Sequence, residues 1–138
     1  MDETFITLSI RNFLKKNGFL IIQCIPPGGQ GGLNYKVNNK PMYPDIIASK
    51  ESTMVICENK PSYSESDQTK LKKLSESENL ISKSQEILNN YCRSKGILSS
   101  KILIIEFFLG FKKSANIPSE GINFFNVTKE GEVTILKS

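Results

Sequence analysis

The hydrophobic pattern of the chain changes its period several times, and each period predicts one kind of secondary structure. From Asp2 to about Asn17, apolar residues recur at three- and four-residue steps, which predicts an amphipathic helix. Short, mainly apolar runs at 19–25, 43–48 and 54–60 predict three strands, because turn-forming residues lie between them. The first half of the chain is therefore predicted to form one helix followed by three strands.

The second half begins with a long helical stretch. A single helix from Glu65 to Lys95 would be about 45 Å long, which is too long for a domain of this size, so we expect a break. The segment Ser75–Glu78 carries a capping-box pattern that predicts the start of a second helix, and Gly96 predicts its end.

Strands are predicted again in the last third of the chain. The run 101–111 is the most apolar one and predicts a central strand, while the runs 122–127 and 133–136 predict a hairpin or a strand with a short partner. Together the elements predict an α/β fold in one domain spanning residues 1–138. Its mixed central β-sheet is flanked by helices, in the order α-β-β-β-α-β.

A long connection joins the first two predicted strands. It runs from Pro26 to Pro41, contains four glycines before residue 33, and is predicted to be an irregular loop. Lys36 and Lys40 in this loop are candidates for contacts with a nucleic-acid backbone. A surface loop without a binding role is the alternative.

Three charged residues are predicted to converge at one end of the strand pair. Asp45 opens the first strand of the pair, while Glu58 and Lys60 lie two residues apart at the end of the second, so we expect both on one face. Two converging carboxylates repel each other unless a hard divalent cation keeps both ionised, and Mg²⁺, with Mn²⁺ as a substitute, fits best. A lysine beside them can orient a water or neutralise charge on a phosphate. These residues predict a site for phosphodiester hydrolysis, with a solvated strand face as the alternative.

The pattern Pro44-Asp45, followed after thirteen positions by Glu58-Asn59-Lys60, resembles the signature of the PD-(D/E)XK nuclease superfamily. The resemblance is to restriction endonuclease-like enzymes, including archaeal Holliday-junction resolvases and type II restriction endonucleases, and it covers roughly residues 2 to 110 with the flanking helices. It implies a restriction endonuclease-like core, Asp45 and Glu58 as metal ligands, and Lys60 as the residue that positions the attacking water. Family members often carry a further carboxylate on the first helix, for which Glu3 is the candidate, although helix capping explains Glu3 equally well.

The function implied by this resemblance is that of a metal-dependent DNA endonuclease, structure-selective in the manner of a junction resolvase. We expect it to act as a homodimer, because one such site cuts one strand. A restriction endonuclease or its small subunit is the alternative within the class. A non-catalytic nucleic-acid-binding module with the same fold is the alternative from another class. Backbone contacts are expected from polar residues of the loop and of the helix that follows Lys60: Lys36, Lys40, Gln68, Lys70, Lys72 and Lys73.

Composition narrows the possible chemistry. The 138 residues carry a net charge of +4, which favours a polyanionic partner. The absence of histidine excludes histidine-ligated metal nucleases and serine triads, so hydrolysis would depend on carboxylates, lysine and metal. No apolar run approaches the roughly 20 residues that span a bilayer. The N-terminal residues lack signal-peptide features and the three cysteines have no metal-ligand spacing, so we expect an intracellular, cytoplasmic protein without a membrane partner.

Overall fold

The computed structural model describes residues 2–26, 29, 32–61, 65–112 and 123–137, without the side chains of residues 65–68. These residues form three helices and eight strands: α1 (Glu3–Lys16), β1 (Leu20–Cys24), β2 (Tyr35–Val37), β3 (Lys40–Met42), β4 (Ile46–Lys50), β5 (Thr53–Asn59), α2 (Glu65–Ser75), α3 (Leu80–Lys95), β6 (Ile104–Lys112), β7 (Asn123–Val127) and β8 (Val133–Leu136). Within the described part of the chain, no helix is both long and apolar enough to cross a bilayer.

Six strands form one mixed sheet in the order β1-β4-β5-β6-β7-β8, and β2 pairs with β3 in a separate hairpin. Strands β1, β4 and β5 are antiparallel neighbours, whereas β6 runs parallel to both β5 and β7, and β8 is antiparallel to β7. The α/β class with a mixed central sheet is confirmed. If the β2-β3 hairpin is set aside and α2 and α3 are counted together, the chain follows the predicted order α-β-β-β-α-β as far as β6.

Helix α1 forms where the three- and four-residue period predicted it. The carboxylate of Asp2 caps its N-terminus, because Oδ1 accepts a hydrogen bond from the backbone N–H of Phe5 at 2.8 Å. Ile6, Ile10 and Leu14 lie one helical turn apart and are fully buried against the sheet. The helix therefore covers one face of the sheet with a single apolar stripe.

The sheet separates two cores, and strand alternation assigns each residue to one of them. Val55 and Cys57 of β5 face α1, whereas Met54 and Ile56 face the layer formed by α2, α3 and the hairpin. This layer contributes Tyr35, Leu71, Leu74, Ile87, Leu88 and Cys92 to its core. Because the alternation continues along β5, Glu58 lies on the side of α2 and Asn59 on the side of α1.

The prediction of an irregular loop was wrong for its second half, where β2 and β3 form a hairpin. Asn38 and Asn39 make its two-residue turn with φ angles of 52° and 64°, the left-handed conformation that such tight hairpins require. Tyr35 anchors the hairpin, since its side chain is fully buried and its hydroxyl lies 2.7 Å from Ser84 Oγ of α3. A buried aromatic anchor explains why this segment is ordered despite its polar composition.

The predicted start of the second helix was also wrong. Helix α3 begins at Leu80 after Asn79, whose φ of 59° is left-handed and whose side chain makes no capping hydrogen bond. Ser75, the cap residue of the predicted pattern, is instead the last residue of α2, and its hydroxyl donates to the backbone carbonyl of Lys72 at 2.6 Å. The end of α2 therefore uses the serine that the pattern assigned to the start of α3.

Stability is expected to fall between pH 10 and pH 12 because of Tyr35. Burial raises the pKa of its hydroxyl from 10.0 to about 12, so in this range the unfolded chain has lost a proton that the folded chain retains. The unfolded state then binds fewer protons, and the free energy of unfolding falls as pH rises, by up to about 2.7 kcal/mol. Urea titrations across this range would show it. In Tyr35→Phe this decline should be smaller, and an equal decline in both proteins would contradict the assignment.

Candidate active site

Asp45 and Glu58 lie at the same end of the β4-β5 pair. The last pair of the two strands is Ile46 with Cys57, and Asp45 and Glu58 are the residues next to this pair on each strand. Two contacts hold Asp45 there: its backbone N–H donates to the Cys57 carbonyl at 3.0 Å, and its Oδ2 accepts from the Asn59 backbone N–H at 2.7 Å. These contacts fix the Asp45 carboxylate at the end of β5.

Glu58 is a buried carboxylate held by a cation from the next helix. Its side chain is 3% exposed, and its Oε1 lies 3.0 Å from Nζ of Lys70 on α2. An ionised carboxylate at this depth requires a counter-charge, because desolvation strongly disfavours the charged form. Sequence reasoning assigned Lys70 to a nucleic-acid backbone, whereas the structure places its ammonium on the carboxylate proposed as a metal ligand.

Lys60 follows β5 and lies at the rim of the site. Its backbone N–H donates to the Gly110 carbonyl at 2.9 Å, which continues the pairing with β6. Its Nζ lies 3.7 Å from Oε1 of Glu3 in the first turn of α1, and its side chain is 40% exposed. Glu3 of α1 therefore reaches the site through Lys60, whereas Glu58 pairs with Lys70 of α2 on the other face of the sheet. The prediction that Glu58 and Lys60 share one face was wrong for their charged groups, because Lys60 follows the end of β5 and pairs with α1.

Electrostatic effects on Asp45 show that these charges share one site. Burial is the largest influence and raises the pKa of Asp45, while the hydrogen bond from Asn59 lowers it. Glu3 raises this pKa further, and Lys70 and Lys60 lower it. One carboxylate and two ammonium groups therefore act on Asp45, and the two ammonium groups belong to the ion pairs of Glu3 and Glu58.

Comparison with known proteins assigns no family to this arrangement of residues. No family model matches the chain, and no curated protein does. The functional interpretation therefore depends on the geometry of the site itself and on the short motif that carries its charged residues, Pro44-Asp45 and Glu58-Asn59-Lys60.

Asn59, in the middle of that motif, is fully buried and connects the end of β5 to α1. Its Nδ2 donates to Thr7 Oγ1 at 3.3 Å, and its Oδ1 accepts from the Cys57 thiol at 3.0 Å. Sequence reasoning missed the role of this side chain. A polar residue within an otherwise apolar strand was the available signal, because buried amides need hydrogen-bond partners.

Gln23 of β1 is a second residue that sequence reasoning missed. Its Nε2 donates to the carbonyl of Pro44 at 3.0 Å, directly before Asp45, and its Oε1 accepts from the backbone N–H of Leu33 at 2.6 Å. This amide therefore connects the approach to Asp45 with the segment that leads into the hairpin. No spacing or composition signal in the sequence pointed to it.

Gly110 allows the close packing behind the site, and Gly110→Ala is expected to destabilise the protein. A methyl group at this position would overlap Ile10 Cδ1 and Asn59 Oδ1, so the fold should lose about 1–3 kcal/mol. Urea denaturation measures the loss. Adding Ile10→Val removes one overlapping atom and should recover part of the loss in a double-mutant cycle. Strictly additive effects would show that the overlap with Ile10 is not the cause.

The donor set suits a cation held by two carboxylates. Among the side chains that the structure describes, no group of three or more Asp, Glu or Cys residues is arranged to hold a metal ion. Mg²⁺ does not require such a cage, because it binds through one or two carboxylates and keeps several waters. Asp45 and Glu58, at the same end of the β4-β5 pair, are the two carboxylates available for this, and Lys70 supplies the positive charge at Glu58.

A groove lies between the hairpin and α2 and includes Lys70, whose ammonium pairs with Glu58. It encloses about 500 Å³ and contains three of the predicted backbone-binding lysines, Lys40, Lys70 and Lys73, together with the half-exposed Tyr43. Lys36 lines a neighbouring cavity of about 620 Å³ that also includes Lys73. We call these two cavities the hairpin groove. They place the predicted lysines along one surface that leads to Lys70.

Two of the residues predicted to contact a nucleic-acid backbone, Lys72 and Gln68, are not among the groove residues that the structure describes. Lys72 is exposed on α2 and lines neither cavity, and the side chain of Gln68 lies outside the described residues. A further cavity of about 800 Å³ lies along α3 and contains neither Asp45 nor Glu58. Its residue Gln85 already accepts from the backbone N–H of Ile102 at 2.7 Å, which indicates a structural role for this surface.

Proposed function

We propose that the protein is a metal-dependent DNA endonuclease that hydrolyses phosphodiester bonds at Asp45 and Glu58. The observation that carries this proposal is that two carboxylates lie at one end of the β4-β5 pair, at the rim of a buried core, with Lys60 and Lys70 close to them. The strand and helix order, and the resemblance of the motif to PD-(D/E)XK nucleases, support a restriction endonuclease-like core.

Each residue of the site has a role that its position allows. Asp45 and Glu58 would hold Mg²⁺ or Mn²⁺, and the bound ion would supply Lewis-acid stabilisation of the phosphate and a more acidic water. Lys60 is exposed enough to meet a substrate, and its ammonium donates hydrogen bonds to the attacking water or to the scissile phosphate. Glu3 holds this ammonium at the rim before the substrate arrives.

The substrate is proposed to be DNA, held along the hairpin groove. Lys36, Lys40 and Lys73 present positive charge there, and Tyr43 offers an aromatic face to an unpaired base. Such a base is found at branched or distorted DNA, which favours a structure-selective enzyme of the junction-resolvase kind over a restriction endonuclease or its small subunit. A homodimer would place one site on each strand of a duplex.

One observation favours a second candidate function, a non-catalytic nucleic-acid-binding module. Lys70 lies 3.0 Å from Glu58 and balances its charge without any metal. A site that had lost catalysis could be stabilised in this way, while the hairpin groove still bound nucleic acid.

A panel of substrates tests the proposal. The protein is incubated with a four-way junction, a linear duplex, single-stranded DNA and RNA, each with Mg²⁺, Mn²⁺ or EDTA, and with Asp45→Asn as the inactive control. We expect cleavage of DNA, strongest on the junction, with either metal and none with EDTA. Binding to DNA without cleavage under any of these conditions would favour the non-catalytic module.

The same substrates test the hairpin groove in EDTA. Lys40→Ala and Lys73→Ala should each weaken DNA binding and reduce the slope of log affinity against log salt by about one unit, since each removes one phosphate contact. Lys95→Ala on α3, which lines neither cavity of the groove, is the matched control and should leave the slope unchanged. Equal slopes for all four proteins would show that DNA does not use the groove.

A further inference from the structure

Lys70 belongs to two surfaces at once. Its Nζ is 3.0 Å from the buried Oε1 of Glu58, and the same side chain lines the hairpin groove beside Lys40 and Lys73. It is about one-third exposed, so its ammonium has access to solvent on the groove side. Its position is therefore at the junction between the carboxylate site and the surface proposed for the DNA backbone.

We propose that Lys70 is an internal counter-cation that occupies Glu58 until a phosphate of the substrate draws it into the groove, so that DNA and the divalent metal bind cooperatively. The inference rests on the proposed function and assigns Lys70 a positioning role within it. Lys70 in this role balances the charge of Glu58 before the substrate arrives. Neither the Glu-x-Lys motif nor the predicted contact of Lys70 with a nucleic-acid backbone explains this charge balance.

Electrostatics at Glu58 require an exchange of cations. An ammonium at 3.0 Å and a divalent ion on the same carboxylate would lie close together in a site of low effective dielectric, where like charges repel strongly. Metal binding therefore has to displace Lys70. Because the Lys70–Glu58 ion pair is lost when the metal binds, the free energy of this ion pair is subtracted from the binding free energy of the metal to the free protein.

The displaced ammonium needs another anion, and the groove supplies the position for one. The groove residues Lys40 and Lys73 add positive charge, which repels Lys70 while the groove is empty and attracts a phosphate that all three can share. The flexible lysine side chain allows its head group to move without a change in the helix backbone. Phosphate binding thereby exposes Glu58 to the metal, and the coupling is reciprocal.

Metal affinity of the free protein is the primary test, because it does not depend on cleavage. Isothermal titration with Mg²⁺ compares the wild type with Lys70→Met, Lys70→Arg and Lys72→Met. We expect Lys70→Met to bind Mg²⁺ about tenfold more tightly, since no ammonium has to be displaced. Lys70→Arg keeps the charge and Lys72→Met removes an exposed charge from the same helix, so both should remain within about twofold of the wild type. Equal or weaker binding by Lys70→Met would overturn the proposal.

Thermal melting covers the case in which the variant is unstable. Lys70→Met leaves Glu58 buried without this cation, so in EDTA its melting temperature should be lower than that of the wild type. Mg²⁺ should raise the melting temperature of the variant more than that of the wild type. A Lys70→Met chain that stays unfolded with and without Mg²⁺ would identify Lys70 as a structural counter-ion and overturn the proposal.

The coupling is measured with a short DNA duplex in Ca²⁺ and in EDTA. The DNA affinity in Ca²⁺ divided by the DNA affinity in EDTA should be larger for the wild type than for Lys70→Met. Lys73→Met should weaken DNA binding in both conditions but keep the wild-type ratio. An equal ratio in the wild type and Lys70→Met would contradict the coupling.

If Lys70→Met binds Mg²⁺ more tightly but no protein cleaves DNA, the nuclease proposal fails and the inference stands. If cleavage occurs but Lys70→Met gains no affinity, the inference alone fails.

Discussion

Replacing Glu58 by glutamine is expected to abolish metal-dependent DNA cleavage, by roughly a thousandfold or more, while DNA binding in EDTA remains. The substitution preserves the shape of the side chain but removes the charge that would hold the metal. It also removes a buried carboxylate that depends on Lys70 at 3.0 Å, and this lysine has solvent access, so the fold should tolerate the change. Asp45→Asn should behave in the same way, because its side-chain oxygen still accepts from the Asn59 backbone N–H.

Single-turnover cleavage of the best substrate from the panel provides the measurement, with DNA binding by fluorescence anisotropy beside it. The matched control is Glu106→Gln on β6, whose carboxylate pairs with Lys137 at 3.1 Å away from the site. This variant should cleave at the wild-type rate, since an exposed ion pair contributes little. Retained cleavage in both Glu58→Gln and Asp45→Asn would show that these carboxylates are not the metal ligands.

Lys60→Ala is expected to lower the cleavage rate by roughly a hundredfold, with little change in DNA affinity. Its ammonium lies at the rim beside Glu3, where a charge can stabilise the transition state more than the bound substrate. Glu3→Gln removes the partner carboxylate but leaves this ammonium in place, so it should reduce cleavage much less. This contrast separates a catalytic lysine from one that only balances Glu3.

The same single-turnover and binding assays distinguish these outcomes, with Lys72→Ala as the control for loss of one positive charge. Wild-type cleavage by Lys60→Ala would remove the mechanistic role of the Glu-x-Lys motif and favour the non-catalytic module. A parallel loss of affinity and rate would instead place Lys60 among the backbone contacts. An effect of Glu3→Gln as large as that of Lys60→Ala would indicate that their ion pair at 3.7 Å acts as a unit.

Local pattern was sufficient for the elements whose apolar residues have a clear period. Helix α1 was predicted because Ile6, Ile10 and Leu14 repeat at helical spacing, and the central strand β6 because its run is the most apolar in the chain. The sequence also predicted that Asp45 and Glu58 lie at one end of the strand pair, because a hairpin brings the start of its first strand next to the end of its second.

Local pattern failed where a distant contact decides the outcome. The capping signal at Ser75–Glu78 failed because Ser75 is still part of α2, while Ser77 beside it donates to Lys36 of the hairpin, an element more than thirty residues away in the sequence. The hairpin was missed because its stability depends on the buried contact between Tyr35 and Ser84, although the Asn38-Asn39 pair was a usable turn signal.

The sequence by itself determined the α/β class and the placement of Asp45 and Glu58 at one end of the strand pair, because strand and helix periods are local properties. Only the tertiary structure decided which cation accompanies each carboxylate: Lys70 with Glu58, and Lys60 with Glu3. These pairs join a strand end to helices on opposite faces of the sheet, so they depend on how α1 and α2 pack against it. Helix packing of this kind follows from the combined shape of two cores, which no single stretch of sequence contains.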